Sequence, residues 1–317
     1  MRVAVVDIGT NSTRLLVADI DGEQVEEIER RNTVTRLGRG VDLTHQLSAD
    51  AMEAVCATVG EYKAIYEELG AERVDAIATS AVRDADNGDA FIAELRERFA
   101  LNARILSGEQ EAELTYRGAT SQREPDTAGE IAQGDATGST LVCDIGGGST
   151  ELICGRGGEV GFHASLQAGV VRHTERHPTG DPPHAEALEE LAADVRGLID
   201  EAMASDPSAV AEHAIAVAGT PTSLAAIDQQ LDPYDPRRVH GYRLSLRSIQ
   251  RMFSRLASLP LVERLRIPGL HPGRAPTIVA GTVILVEVMR AFGLDEIEAS
   301  EHDILWGAAL ASSMAAA

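Results

Sequence analysis

Two short runs of this sequence set an aspartate, an isoleucine and a glycine ahead of hydroxyl-bearing residues. They are Asp7-Ile8-Gly9-Thr10-Asn11-Ser12-Thr13-Arg14-Leu15 and Asp144-Ile145-Gly146-Gly147-Gly148-Ser149-Thr150-Glu151-Leu152, identical at six of nine positions with a constant offset of 137. Glycine turns let backbone N–H groups approach phosphate oxygens with no Cβ in the way. Gly146, Gly147, Gly148 and Ser149 in one copy, and Gly9 with Thr10, Asn11 and Ser12 in the other, are therefore candidate phosphate cradles. One such turn is equally well a plain hairpin turn; two, each preceded by an aspartate, favour phosphate. Asp7 and Asp144 close apolar runs, which places them at a cleft, where carboxylates can hold a hard divalent cation such as Mg²⁺ or Mn²⁺. Glu151, two residues beyond Ser149, is a third acidic candidate. Gly219-Thr220 follows an apolar run and precedes a helical pattern, a further anion site at a helix N-terminus. Arg83 ends a strand-like run over 78–82, and its planar fork suits phosphate oxygens. Hydrolysis also needs a base. Glu109, Glu111 and Glu113 stand at the start of one helix, where the helix dipole alone accounts for acidic residues, and residue type does not choose among them. Arg172, Arg274, Arg237 and Arg238 extend the candidate basic residues, whereas His240 reads as a packing residue.

These groups need elements to hold them. Each copy of the repeat follows an apolar run (3–6, then 140–143) and leads into a second one (15–18, then 152–154). Turn signals come next, at Asp21-Gly22 and Gly157-Gly158, and a further strand after each. That pattern is a β-hairpin with a tight loop at its first turn, made twice. Between and after the copies the periodicity predicts helices over 49–69 (Ser48 as N-cap, Gly70 at the end), 89–99, 109–120, 184–203, 222–230, 245–258 and 277–292, and strands over 74–79, 103–106 and 213–218. Duplicated hairpins followed by alternating helices and strands point to two α/β domains. The polar stretch 122–138 reads as a mobile surface loop between them.

The whole composition narrows the function further. A chain of 317 residues, 44% hydrophobic, has the length of two domains. No apolar run reaches the roughly 20 residues of a membrane span; the most apolar, 277–289, is broken by Glu287. The N-terminus lacks a signal-peptide cleavage pattern. Cys56, Cys143 and Cys154 have no metal or redox spacing and read as core. These features predict a cytoplasmic protein with no membrane partner. A net charge of −22 excludes a general nucleic-acid binder, and an anionic substrate must be met locally by basic groups and metal. Lys63 is the only lysine, a bias that a GC-rich genome produces.

Cys143-Asp144-Ile145-Gly146-Gly147-Gly148-Ser149-Thr150-Glu151 resembles the signature of the exopolyphosphatase/guanosine pentaphosphate phosphatase family. That family lies within the superfamily of actin, sugar kinases and heat-shock ATPases. Further matches are Asp7-Ile8-Gly9-Thr10-Asn11-Ser12, Ala78-Thr79-Ser80-Ala81-Val82-Arg83, Ser107-Gly108-Glu109-Gln110-Glu111-Ala112, Gly219-Thr220, Tyr234-Asp235-Pro236 and Val239-His240-Gly241, in the family's order and over nearly the whole chain. The resemblance implies an α/β fold of two ribonuclease-H-like domains of the actin-like ATPase type facing an interdomain cleft. The first would span 1–118 with the C-terminal helix 301–317, and the second 119–300. It implies an exopolyphosphatase that releases terminal orthophosphate, or a guanosine pentaphosphate 5′-phosphatase at the same site, with polyphosphate or guanosine pentaphosphate as substrate and a homodimer as the assembly. It assigns the base to Glu111, the transition-state arginine to Arg83, and the metal to Asp7, Asp144 and Glu151. A superfamily kinase would need an aspartate base, against which Glu111 and Glu151 argue. A polyphosphate or nucleotide sensor without turnover is the reading of another class. One departure is clear. Where family members often carry Gly-Leu-Arg-Glu-Gly near the C-terminus, this chain has Asp303-Ile304-Leu305-Trp306-Gly307, so no role is carried over to Leu305 or Trp306. Nor does the sequence run on into the extra helical domains of longer members.

Overall fold

The computed structural model describes residues 1–121, 138–156, 159–177, 180–206 and 209–314. The chain divides into two compact units, Met1–Gln133 with His302–Ala317, and Gly134–Glu301. Residues 122–137 of the loop expected over 122–138, and the Gly157-Gly158 turn, lie outside the described residues.

The first unit runs β1 (Arg2–Ile8), β2 (Thr13–Asp21), β3 (Gln24–Thr33), α1 (Val41–Thr44), α2 (Ala49–Glu68), β4 (Arg73–Ala78), α3 (Ser80–Arg83), α4 (Gly88–Phe99), β5 (Ala103–Ile105) and α5 (Gly108–Thr120). The second runs β6 (Thr140–Ile145), β7 (Thr150–Arg156), β8 (Glu159–Leu166), α6 (Val170–Arg176), α7 (Ala185–Ser205), β9 (His213–Val217), α8 (Gly219–Asp228), α9 (Pro236–Val239), β10 (Tyr242–Ser245), α10 (Leu246–Ser258), α11 (Leu261–Arg264), α12 (Ile278–Ala291) and β11 (Glu296–Ala299). Helix α13 (Ile304–Met314) returns to the first unit. The expected α/β class is thus the observed one, with one sheet in each unit.

The sequence repeat is a repeat of topology. The first sheet has the order β3-β2-β1-β4-β5 and the second β8-β7-β6-β9-β11, with β10 added at the edge. In each, the hairpin strands are antiparallel and the next two join in parallel. Both copies even share an irregularity. The β2–β3 register shifts between Val17 and Ala18, and the β7–β8 register between Cys154 and Gly155, again 137 apart. Strand β1 is buried along nearly its whole length because it lies between β2 and β4. Its side chains alternate: Ala4, Val6 and Ile8 pack with residues of α2 and α4, while Val3 and Val5 pack with Ile304, Leu305 and Trp306 of α13.

The local signals act as expected. Ser48 caps α2 by accepting from the Ala51 N–H, and Gly70 follows the helix in the left-handed region at φ +71°. Ser107 and Gln110 form a reciprocal capping box at the start of α5. One local expectation fails. The run expected to stay extended as far as Arg83 leaves the sheet at Ala78. Thr79 turns the chain, its carbonyl accepts from the Val82 and Arg83 N–H groups, and residues 80–83 become one helical turn. Short helices and strands (α1, α6, α9, β10 and β11) carry too few residues for periodicity to reveal them. Among the described residues no helix is long and apolar enough to cross a membrane.

Candidate functional site

In the first unit the β1–β2 turn is closed by the Gly9 N–H donating to the Ser12 carbonyl at 3.0 Å. Two further carbonyls of the turn are also taken. Gly38 N–H donates to the Thr10 carbonyl (2.8 Å) and Arg36 N–H to the Asn11 carbonyl (3.0 Å). In a trans peptide the N–H points opposite to the C=O, so the amides of Asn11 and Ser12 are turned to the other side. The approach of residues 36–38 depends on Gly38, since a Cβ there would lie 2.2 Å from Thr10 Cγ2. The Thr10 hydroxyl contacts Ser80 Oγ (2.8 Å) and accepts from the Ala81 N–H (3.2 Å), tying the turn to α3. Thr10 is therefore engaged in holding the loop as well as in lining it.

The second unit repeats this device. Gly146 N–H donates to the Ser149 carbonyl at 3.0 Å, the counterpart of the Gly9–Ser12 bond. The carbonyls of Gly146 and Gly147 accept from the N–H groups of Val170 and Val171, at the start of α6, and the Gly148 carbonyl accepts from Arg172 Nε at 2.7 Å. The amides of Gly147, Gly148 and Ser149 are consequently turned away from α6, an arrangement of successive N–H groups that can receive an anion. Gly169 permits the contact: its Cβ would fall 2.2 Å from the Gly147 carbonyl oxygen. Beside this loop, β9 pairs in parallel with β6, Asp144 opposite Val217. Ala218 then takes φ 69°, ψ −168° before α8 begins at Gly219. That conformation is close to glycine-only and costs about 1–3 kcal/mol. Gly219 lies under the Arg274 guanidinium, where a Cβ would meet Cζ at 2.3 Å, and Gly281 makes room for Thr220.

The acidic residues differ between the copies. Asp7 stands opposite Arg14 and Asp144 opposite Glu151, at equivalent places in the two hairpins. Asp7 Oδ2 accepts from Arg14 Nε at 2.8 Å, and Arg14 Nη2 lies 2.6 Å away. The other oxygen, Oδ1, is buried with no hydrogen-bond partner. Burial pushes the Asp7 carboxyl up, against the pull of Arg14. Arg14 in turn donates to the buried Asp303, just ahead of α13. Burial alone would raise Asp303, but Arg14, Arg30 and the Leu305 N–H outweigh it and hold its carboxyl below the usual range. In the second unit no arginine occupies the corresponding place. Asp144 and Glu151 are both buried and face one another across the ladder, with Ser165 Oγ donating to Glu151 Oε1 at 2.9 Å. Like charges directly opposite are unfavourable, and a cation relieves them. Within each unit the donors are carboxylate oxygens, the Asp7 oxygen in the first and the Asp144–Glu151 pair in the second, and oxygen donors of this kind suit a hard divalent ion such as Mg²⁺.

Among the three glutamates of α5 the structure discriminates where the residue types did not. Glu109 and Glu113 are exposed, whereas Glu111 is buried. Its Oε2 accepts from Arg83 Nη1 at 2.9 Å, and the same Nη1 donates to the Leu106 carbonyl at 2.8 Å. Burial pushes the Glu111 carboxyl up, Arg83 opposes this, and the charge of Asp7 adds to the rise. Arg83 is thus first of all the partner of Glu111. Asp7, Thr10, Asn11, Ser12, Arg83 and Glu111 share the first unit, and Asp144, the glycine loop, Glu151, Gly219 and Thr220 share the second. Sequence reasoning missed Arg14, Asp303, Gly38, Ser80 and Gly169. Only Arg14 carried a visible signal, as the charged position at which the two repeats disagree.

The chain is similar to known proteins along nearly its whole length. The profile of the Ppx/GppA phosphatase family matches residues 16–308. Exopolyphosphatase 2 of Mycobacterium tuberculosis is 34% identical over 98% of each chain. Among solved structures, an exopolyphosphatase-like protein superposes with a TM-score of 0.91 at 33% identity over 100% of both chains. A Ppx/GppA family member from Aquifex aeolicus gives 0.81 at 30% identity, over 100% of this chain and 98% of the other.

Proposed function

The chain belongs to the Ppx/GppA phosphatase family and is a phosphoanhydride hydrolase of the exopolyphosphatase kind, and from that premise we propose that it releases terminal orthophosphate from inorganic polyphosphate. The observation that carries the reading is the selection of Glu111. It is the one buried glutamate at the start of its helix, it is held by Arg83, and the charge of Asp7 adds to the rise of its carboxyl.

In the proposed reaction Glu111 accepts a proton from the attacking water as the water oxygen bonds to the terminal phosphorus. The bridging P–O bond breaks, and the shortened chain leaves as its phosphate anion. Arg83 fixes the carboxylate that takes the proton. The amides of Asn11 and Ser12, and those of Gly147, Gly148 and Ser149, are assigned to phosphate oxygens, with Thr10, Gly146, Gly219 and Thr220 shaping the turns. Asp7, Asp144 and Glu151 are the carboxylates assigned to Mg²⁺ or Mn²⁺. When bound, the ion neutralises the polyanion and stabilises charge on the phosphoryl oxygens.

Phosphate release measured in parallel from long-chain polyphosphate, guanosine pentaphosphate and ATP, with and without Mg²⁺, tests this. Polyphosphate is expected to turn over fastest, and only with the ion. Preferred cleavage of guanosine pentaphosphate would move the assignment to the 5′-phosphatase reading. Binding of polyphosphate with no release from any substrate would make the chain a sensor, and full activity in excess chelator would remove the metal.

A further inference from the structure

The phosphatase reading leaves unused a group of side chains in the second unit. His173 lies on α6 and His177 immediately follows that helix, an i, i+4 pair on one face. Asp194 faces them from α7. His177 Nε2 is 3.1 Å from Asp194 Oδ2, and His173 Nε2 is 3.3 Å from the same oxygen. One ligand atom from each of the three falls within 4.8 Å of the others. His173 is fully buried, yet neither of its ring nitrogens has a partner at hydrogen-bond geometry.

We propose that His173, His177 and Asp194 form a binding site for a divalent transition metal of the zinc class, which pins α6 to α7. The spacing fits. Metal–nitrogen and metal–oxygen bonds of about 2.0–2.2 Å at tetrahedral angles separate neighbouring ligand atoms by about 3.3–3.6 Å, close to the two distances found. Two imidazoles and one carboxylate select Zn²⁺ or a similar ion over Mg²⁺, which prefers oxygen. The protonation states also fit. Burial pushes the His173 imidazole down to about 4, so it is neutral and can donate a lone pair. Burial works against ionisation of Asp194, but the hydrogen bond with His177 and the charge of Arg176 prevail and hold its carboxyl low. The competing cation, Arg176 Nη1, is 3.6 Å from Asp194 Oδ2 on a side chain 36% exposed, so it can swing toward water. An ordinary ion-pair cluster accounts for the His177–Asp194 bond, but it leaves the buried His173 Nε2 at 3.3 Å from Asp194 without hydrogen-bond geometry.

The location gives the site a consequence. Helix α6 is the element whose first N–H groups hold the Gly146 and Gly147 carbonyls and whose Arg172 holds Gly148. A metal joining α6 to α7 steadies the support of the glycine loop. A second trio, Glu53, Cys56 and Glu94, serves as a control. Arg98 already bridges its two carboxylates, and burial pushes the Cys56 thiol up to about 11, so no thiolate is available.

The test is a titration of the full chain with Co²⁺ in excess Mg²⁺, followed in the visible d–d bands, and then Zn²⁺ competition against a chromophoric chelator. One Co²⁺ per chain, displaced by Zn²⁺, is expected. Asp194→Asn and His177→Gln should each weaken Zn²⁺ binding by at least about 100-fold, while Cys56→Ser leaves it unchanged. Wild-type affinity in both variants, loss of binding in Cys56→Ser, or no Zn²⁺ binding in the micromolar range overturns the proposal. Should a variant fail to fold, the wild-type protein decides: Zn²⁺ must shield His177 from diethyl pyrocarbonate, and equal labelling with and without Zn²⁺ overturns it. None of these readouts uses phosphatase activity, so this site and the phosphatase reading stand or fall separately.

Discussion

At the scale of the residue, the divergence of the two repeats carries most of the chemistry. The same place in the hairpin holds Arg14 beside Asp7 in one copy and Glu151 beside Asp144 in the other. One aspartate therefore faces an arginine across the ladder, and the other faces a second carboxylate. The proposed role of Glu111 as the base can be tested directly. Glu111→Gln keeps the shape and hydrogen-bonding reach of the side chain but cannot take a proton, so turnover should fall by about 10²–10⁴-fold with substrate affinity kept or slightly raised. Glu109→Gln and Glu113→Gln, on exposed positions of the same helix, should stay near wild type; equal modest losses in all three would place the effect in surface charge. The pH profile supplies a second check. The base must be ionised, and its folded pKa lies above the ordinary glutamate value. The kcat/KM of the wild type should therefore rise with pH through that raised value and be lost as pH falls below it. Arg83 is one of the groups holding that value down. In Arg83→Gln the acid limb should consequently move to higher pH as the rate drops, and an unmoved limb would separate Arg83 from the base.

At the scale of the element, backbone approach decides what the side chains can do. Helices α5 and α13 meet through two glycines: a Cβ on Gly118 would lie 1.9 Å from the Asp303 carbonyl, and one on Gly307 would lie 1.8 Å from the Leu114 carbonyl. Gly307→Ala must push the helices apart, and overpacking of this kind costs about 1–3 kcal/mol. It also displaces Asp303, the anchor of Arg14. Chemical denaturation should show that loss. Gly197→Ala, inside α7 with nothing within 4 Å of its Cβ, should instead gain about 0.5–1 kcal/mol. Matching effects at the two positions would refute the close-contact argument. The C-terminal departure from the family pattern is explained at this scale too. Leu305 and Trp306 are core residues on the α13 face of the first sheet, and Trp306 stacks on His302 with ring centroids 4.1 Å apart.

At the scale of the whole molecule, a net charge of −22 opposes an anionic substrate. The field of the protein repels polyphosphate over distances comparable to the Debye length, about 30 Å at 0.01 M salt and about 8 Å at 0.15 M. Raising ionic strength across that range with a monovalent salt should therefore increase kcat/KM for long polyphosphate, provided Mg²⁺ is saturating. A steep fall would mean that a local basic surface, and not the net charge, governs encounter.

Much of the fold was legible because it is written in local or repeated signals. The duplicated Asp-Ile-Gly hairpins, the Ser48 and Ser107 caps and the long helices α2, α7, α10 and α12 follow from spacing and residue type, which act between near neighbours in the chain. The family followed from the same motifs. What the residue types left open was every choice that depends on contact between distant segments. Three glutamates four residues apart at most are equivalent in sequence, and only the packing of α5 buries Glu111 against Arg83, 28 positions away. Asp303 lies 289 positions from Arg14 and becomes its partner only when the last helix packs under β1. Gly38 and Gly169 look like ordinary loop glycines until the backbones they admit, at Thr10 and Gly147, come within reach. Spacing along a chain specifies turns and helical faces; which charge is buried, and beside what, is decided by the long-range packing that removes water from it.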